Sequence, residues 1–416
     1  MKVIVVGAGA AGIMAAINAA KNKNEVILLE KTTSIANKLK ITGKGRCNLT
    51  FDGDIENFKQ NIVKNYKFMY SSFTNFDNKK VVEYFNKLGV KTKVERGARI
   101  FPESDDSATI VDVLKKELKK YSVDILYSTT VTSLVIENKK IKGVKLQNKS
   151  IINCDKCIIA TGGKSYETTG STGDGYTLAR SVGHHIVDLK AGLVPLRSND
   201  KVCKILQGLS LKNVGIKIFD SNKEIYTSFG ELLFTHFGLS GPIILSASSK
   251  LNRIADIDKK LVQGKIYISI DLKKALDLDT LDKRICRDFE KYANKEFKNS
   301  LNDLLPQKII PQIILMSQID ENKKVHQITK NERQILVNLI KNFKINITGF
   351  MPIDIAIITC GGVDVVEVNP KTMESKFVFG LYFAGEVLDV DGYTGGYNLQ
   401  IAFSTAIAAS SSLNIN

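Results

Sequence analysis

Three glycines, one glutamate and a distant acidic, glycine-rich segment are the parts of this chain with the clearest chemistry. Gly7, Gly9 and Gly12 follow the apolar run VIVV in VIVVGAGAAG. The spacing G-x-G-x-x-G at a strand end suits a pyrophosphate. Its first glycine permits a tight turn, its second lets the backbone approach the phosphates, and its third lets a helix pack on the strand. Ala10 and Ala11 lie within the fingerprint, at a helix start whose amides and dipole favour a diphosphate. Glu30 ends EVILLE, 23 positions after Gly7, with Lys31 beside it. A carboxylate there accepts hydrogen bonds from an adenosine ribose and would repel a 2′-phosphate. Near the other end, LYFAGEVLDVDGYTGGYNL (381–399) is a strand followed by acidic residues, a glycine pair and a helix start. Together the two ends suggest one flavin dinucleotide lying across a single sheet.

The elements that must hold these residues follow from the hydrophobic pattern. The first strand is a continuous apolar run, as expected for a strand buried on both faces of a parallel sheet. Apolar spacing predicts helices over 78–88 and 108–120. Alternating segments near 123–127, 131–137 and 141–147 predict a β-meander, and CIIATGG (157–163) returns to the sheet. From about 190 the segments VGIKIFD, EIYTSF and KIYISIDL predict a small antiparallel or barrel-like unit. Residues 277–343 lack strand alternation and read as helical, with Pro306 and Pro311 as breaks. Strand character resumes at Ile357. The middle of the chain therefore reads as an insertion into a discontinuous cofactor domain.

At 416 residues the chain is too long for one average domain and can bury a large core. No stretch approaches 18 uninterrupted apolar residues, so no transmembrane helix is expected. The N-terminus enters a strand directly, which leaves no room for a signal peptide and makes a cytoplasmic location the expectation. Six cysteines in a chain of this length do not make a disulfide scaffold. Cys154 and Cys157 form a C-x-x-C that leads into a strand, where packing is the expected role rather than redox exchange. No histidine or second cysteine cluster offers a metal site, and none is expected. The formal net charge is +16, from 59 basic and 43 acidic residues. A balance this basic attracts polyanions, although a basic, solvated surface without a nucleic-acid partner has the same composition.

Four further segments carry a resemblance: GKGRCNLT (43–50), ATGGKSYETTGSTGDGY (160–176), CGGVDVVEVNPKTMESK (360–376) and GLYFAGEVLDVDGYTGGYNLQIAFSTA (380–406). With the N-terminal fingerprint, their order and spacing resemble the BaiN/RdsA family of bacterial NAD(P)/FAD-dependent oxidoreductases over nearly the whole chain. Cys360, before Gly361 and Gly362, departs from the usual glycine. The resemblance implies an α/β fold: a Rossmann-like, glutathione reductase-like FAD-binding domain with an inserted β-barrel-like domain and a helical subdomain. The expected boundaries are 1–190 with 356–416 for the FAD domain, 191–276 with 344–355 for the barrel-like insert, and 277–343 for the helical subdomain.

The resemblance also implies roles. Glu386 and Asp389 would meet the ribityl chain of FAD, and Gly385 would be among the cofactor-binding residues. Gly395, Gly396, Tyr397 and Asn398 would open a helix facing the flavin pyrimidine ring, stabilising its anionic reduced state. Thr161, Gly162 and Gly163 would pass close to the dinucleotide, and Lys44, Gly45, Arg46, Cys47 and Asn48 would line the flavin or its diphosphate. Only one full fingerprint is present, so NADH or NADPH would dock transiently at the flavin. Two chemistries remain open: saturation of a uridine ring in large-subunit rRNA, and reduction of a small conjugated enone of the bile-acid or steroid type. Both add hydride to the β-carbon of a carbonyl-conjugated double bond and a proton to the α-carbon. Cys47 is the first candidate proton donor, its alternative being a small residue packed under the ring. His236 is the second, since a histidine titrates near working pH; its alternative is a packed histidine at a strand end. Arg46, whose alternative is a surface salt bridge, and Lys44 could polarise the carbonyl or hold a phosphate. The charge favours RNA, whose target base would have to be flipped out. An amine oxidase and a non-catalytic, FAD-containing RNA-binding protein are further alternatives.

Overall fold

In the computed structural model, residues 1–414 are described, and the chain divides into two compact units. The first comprises residues 1–192 together with the chain from 352 onward; the second is Leu193–Met351.

The first unit is built on five parallel strands. They are β1 (Lys2–Val6), β2 (Glu25–Leu29), β3 (Asp124–Leu126), β4 (Lys156–Ile159) and β5 (Leu381–Phe383), in the spatial order β5-β4-β1-β2-β3. Every pairing is parallel, so the strand that follows the fingerprint and the strand near the C-terminus share one sheet. Val3, Ile4, Val5, Ile158, Ile159 and Phe383 are fully buried, because helices cover both faces of such a sheet. Helix α1 (Ala10–Lys21) packs against α2 (Tyr397–Ser411). Alanines keep the α1 axis close to its neighbours, and Asn18 Nδ2 donates to the Ser410 and Ser411 hydroxyls at 2.9 and 3.0 Å. The expected helices form at Asn78–Lys87 and Ser107–Lys120.

The expected meander needs correction. Asp124–Leu126 does not join it but pairs in parallel with β2, extending the main sheet. A short apolar run directly after a helix completes a β-α-β crossover, which local alternation cannot distinguish from a hairpin. The meander instead consists of Val131–Glu137, Lys140–Leu146 and Ile151–Asn153.

The second unit holds a seven-stranded antiparallel sheet. Its two longest strands, Ser210–Asp220 and Lys223–Thr235, form a hairpin. Its edge strands, Phe343–Asn346 and Gly349–Phe350, are separated by two residues, so the sheet must curl to bring its ends within one short link. Helices Leu278–Lys291, Ile310–Ser317 and Lys330–Lys341 share one apolar cluster with the strands, including Ile216, Ile268, Ile285, Ile313 and Ile340. Among the described residues, no helix is long and apolar enough to cross a membrane.

Candidate functional site

The fingerprint, the 160–163 segment and the C-terminal segment converge at the carboxyl ends of β1, β4 and β5, where open parallel sheets bind their ligands. The backbones approach closely enough to exclude side chains. A Cβ on Gly7 would stand 2.7 Å from the Ala160 carbonyl oxygen, and one on Gly12 would stand 1.8 Å from the Gly7 oxygen. One on Gly385 would stand 2.7 Å from the Ala11 Cβ. Gly9 is different: nothing lies within 4 Å of the point its Cβ would occupy. That open space sits at the start of α1, in front of Ala10 and Ala11, where a pair of phosphates would be favoured.

Glu30 is buried at the end of β2. Its Oε2 accepts from the Ala8 N–H at 2.9 Å, and its Oε1 accepts from the N–H and hydroxyl of Thr32, both at 2.8 Å. A carboxylate has about four lone-pair sites, so these three bonds leave capacity for a ribose hydroxyl. Lys31 turns elsewhere: its ammonium bonds the Thr172 hydroxyl and the Asp174 carboxylate, the latter at 2.8 Å.

On the other side, the 43–50 loop packs on the N-terminus of α2. Gly396 has φ +98°, and a Cβ there would lie 2.4 Å from the Thr50 carbonyl carbon. Asn48 joins the two segments: its amide donates to the carbonyls of Ile100 (3.1 Å) and Thr50 (3.0 Å) and accepts from the Gly396 N–H (2.9 Å). No side chain caps α2, which leaves the first-turn amides at Tyr397 and Asn398 suited to an electron-rich ring edge. Asn398 also braces the preceding turn through Gly392, and the Tyr397 hydroxyl donates to Asn57 Oδ1 at 2.8 Å. Lys44 and Cys47 both adopt left-handed backbone, each with φ +60°. Such conformations cost about 1–2 kcal/mol per residue and cluster at functional sites.

Within that loop the side chains part company. Cys47 is fully enclosed, and burial pushes its thiol up to about 12. It stays protonated at neutral pH, packed in the apolar core. The Arg46 guanidinium donates to Glu95 at 2.8 Å and Asp105 at 3.1 Å and lies 4.2 Å above the Phe101 ring. Its hydrogen bond to Glu95 raises its pKa further. Lys44 is exposed, and a Cβ on Gly45 would meet only open space.

The acidic residues after β5 are held by partners that local motifs do not reveal. Glu386 accepts from Lys38 Nζ and from the Thr359 N–H, each at 2.8 Å, with the Ser165 hydroxyl bridging to both Lys38 and Glu386. The backbone leaves no room here, since a Cβ on Gly163 would stand 2.4 Å from Thr359 Oγ1. Asp389 is buried, with Oδ2 at 2.5 Å from Lys64 Nζ and 3.2 Å from Asn65 Nδ2. Its Oδ1 is buried without a partner, as is Thr161 Oγ1 beside Gly175. An unused buried acceptor costs about 1–3 kcal/mol. The orphan Asp389 oxygen therefore fits a hydroxyl-bearing chain such as ribityl. Lys38, Lys64, Asn65, Ser165 and Thr359 were not singled out from sequence. Lys38 and Glu386 are 348 positions apart, and no local motif marks a pairing of that range.

His236 belongs to the second unit, exposed at the turn between Lys223–Thr235 and Gly238–Ser240, edge-on to Phe237 at 4.9 Å. Cys154 and Cys157 are both buried, and burial raises both thiols. Cys360 is buried with its Sγ 3.6 Å from Asp391 Oδ2.

Comparison with known proteins agrees with this architecture. The chain is 32% identical over 412 residues to the ribosomal RNA dihydrouridine synthase of Escherichia coli, covering 99% of this chain and 97% of that one. It is 30% identical over 416 residues to the 3-dehydro-bile acid delta(4,6)-reductase of Clostridium scindens, covering 97% of each. Its fold is similar to that of the 3-ketosteroid-delta4-(5alpha)-dehydrogenase of Rhodococcus jostii, with a TM-score of 0.51 and 15% identity over 98% of this chain and 96% of that one. The profile of the HI0933-like protein Rossmann domain matches residues 1–412; by that match and its full-length relatives, the chain belongs to the HI0933-like family.

Proposed function

We propose that this protein is an FAD-dependent reductase of a carbonyl-conjugated carbon–carbon double bond, and that its substrate is a uridine of large-subunit rRNA, converted to dihydrouridine. The observation that carries this reading is the full-length kinship to two reductases, one named for ribosomal RNA dihydrouridine and one for a bile acid. Those substrates differ in every respect except an unsaturated ring to be reduced. The charge of +16 then favours RNA, since a steroid gains little from lysines whereas a phosphate backbone gains much. The reading also places the protein in the cytoplasm, with ribosomal RNA.

In this assignment, Glu30 holds the adenosine ribose, the turn around Gly9 the pyrophosphate, and Asp389 Oδ1 the ribityl chain. The α2 N-terminus, steadied by Asn48, faces the pyrimidine edge of the flavin. FAD, when bound and reduced by NADH or NADPH, supplies the hydride. The protein must hold the substrate carbonyl, exclude water and deliver a proton to the α-carbon. His236, an exposed imidazole, is the proposed proton donor. The enclosed Cys47 is proposed to support the ring from beneath, and Lys44 to meet the substrate carbonyl or a neighbouring phosphate. Arg46 shapes the loop through Glu95 and Asp105.

The test is nucleoside mass spectrometry of large-subunit rRNA from cells with and without the gene. Loss of a dihydrouridine that returns on complementation is the expected result. An unchanged dihydrouridine level would reject RNA and leave a small conjugated enone as the substrate. That second reading is favoured only by the bile-acid reductase relative.

A further inference from the structure

The second unit contains a cavity of about 300 Å³ that none of the flavin chemistry uses. It lies where the strand Ser210–Asp220 departs from regular pairing, with a register shift between Leu211 and Val214 and a left-handed Asn213 (φ +57°). Bulges of this kind re-aim side chains and accumulate beside binding sites. The walls are apolar, formed by Leu211, Val214, Leu272, Leu305, Pro306 and Ile309, while Lys212, Lys273 and Ser210 complete the lining. Among the described residues, no carboxylate lines it. Asp271, the nearest acid in sequence, is already paired with Lys341 at 2.7 Å. Burial lowers the pKa of Lys273, with Arg284 adding repulsion, and no carboxylate offsets either effect.

A slot with aliphatic walls and a polar rim that carries Lys212 and Lys273 suits a ligand with a flat or apolar body and a negative charge beside it. At 300 Å³ the volume matches the small end of ligand pockets, enough for one unstacked base and far too small for a duplex. Lys274, next in sequence to Lys273, lays its aliphatic stem against Gly215. A succession of lysines suits a repeating phosphate backbone better than a single carboxylate. Sequence-independent single-strand sites pair a cationic groove with side chains that cover the base faces, usually aromatic ones; here Leu211, Leu305 and Pro306 would take that second part.

We propose that this cavity grips one unpaired nucleotide of the RNA substrate, away from the base that is reduced, with the base against Leu211, Leu305 and Pro306 and the phosphates on Lys212 and Lys273. This rests on the RNA reading above.

The test uses the FAD-loaded full chain and a single-stranded, 4-thiouridine-containing RNA oligonucleotide. Cross-links to peptides containing 209–214 or 304–309 are expected. Lys212→Gln and Lys273→Gln, singly and together, should keep the thermal midpoint and FAD content of the parent. The double variant should lower the magnitude of the log Kd against log salt slope by about 1.4, at roughly 0.7 per lost phosphate contact. Tight RNA binding with unchanged slope and no such cross-links would overturn this inference and leave the RNA reading standing. Failure of the parent protein to bind RNA would overturn both. Thermal protection by decanoate that the double variant loses, with RNA affinity unaffected, would assign the cavity to amphipathic carboxylates and likewise overturn the proposal.

Discussion

Gly9→Ala separates the cofactor reading from ordinary packing. Gly9 has φ −81° and ψ −169°, a conformation alanine adopts freely, and the added Cβ would touch no protein atom within 4 Å. The folded protein therefore loses nothing, and the less flexible unfolded chain should make the cofactor-free protein about 0.4–1 kcal/mol more stable. If a pyrophosphate passes over this residue, the methyl group occupies its space. Overpacking of that size costs about 1–3 kcal/mol, a weakening of FAD binding of roughly 5- to 150-fold. Gly12→Ala is the contrast, because its Cβ would lie 1.8 Å from the Gly7 oxygen, which should destabilise the chain whether or not FAD is present. The assay is thermal unfolding of apo and FAD-loaded protein, with FAD titrated by its fluorescence. A Gly9→Ala protein that binds FAD as tightly as the parent would refute the placement of the phosphates. A cofactor-free variant that is strongly destabilised would refute the open space above Gly9.

Further outcomes follow from the same geometry. Asn48→Ala removes the link between the 43–50 loop and Gly396; a loss of about 1–3 kcal/mol and faster FAD release are expected, measured by chemical denaturation and dilution. His236→Ala should slow single-turnover substrate reduction about 10²-fold or more, whereas Cys47→Ala should chiefly lower the thermal midpoint; the opposite pattern would exchange the two roles. Stability should also depend on His184, a buried imidazole bonded to Glu367 (3.2 Å) and Ser375 (2.7 Å). Burial lowers its pKa despite Glu367, so the unfolded chain takes up the proton more readily than the native one. Its contribution is therefore full above the unfolded value of about 6.5 and is lost as pH falls from there towards the depressed native value. His184→Gln should flatten the stability–pH curve in that window, as read by urea midpoints between pH 7 and pH 5.

The sequence by itself determined the parts of this protein whose chemistry is local. The turn through Gly7 and Gly9 and the glycine pair before Tyr397 depend on residues within a few positions of one another, and Glu30 is marked by its fixed distance of 23 positions from Gly7. Apolar runs reported β1 and β4 because a strand covered on both faces needs no alternating pattern. The strand Asp124–Leu126 was misread because its three residues carry no record of which partner they meet. What only the tertiary structure decided was the company the site residues keep. Glu386 meets Lys38, Asp389 meets Lys64 and Asn65, Arg46 meets Glu95 and Asp105, and Asn48 meets Gly396. Each pairing joins segments that only the tertiary fold brings together: Arg46 and Asn48 lie beside a small antiparallel sheet of Thr50–Phe51, Thr92–Glu95 and Arg99–Pro102, and Asp389 meets Lys64 where Asp391–Gly392 pairs with Ile62–Lys64. Charge, size and burial then set what each side chain can do, and the thiol of Cys47 shows the difference. Its place in a glycine-rich loop left a proton donor and a small packed residue both open; the packing around it encloses the thiol and keeps it firmly protonated.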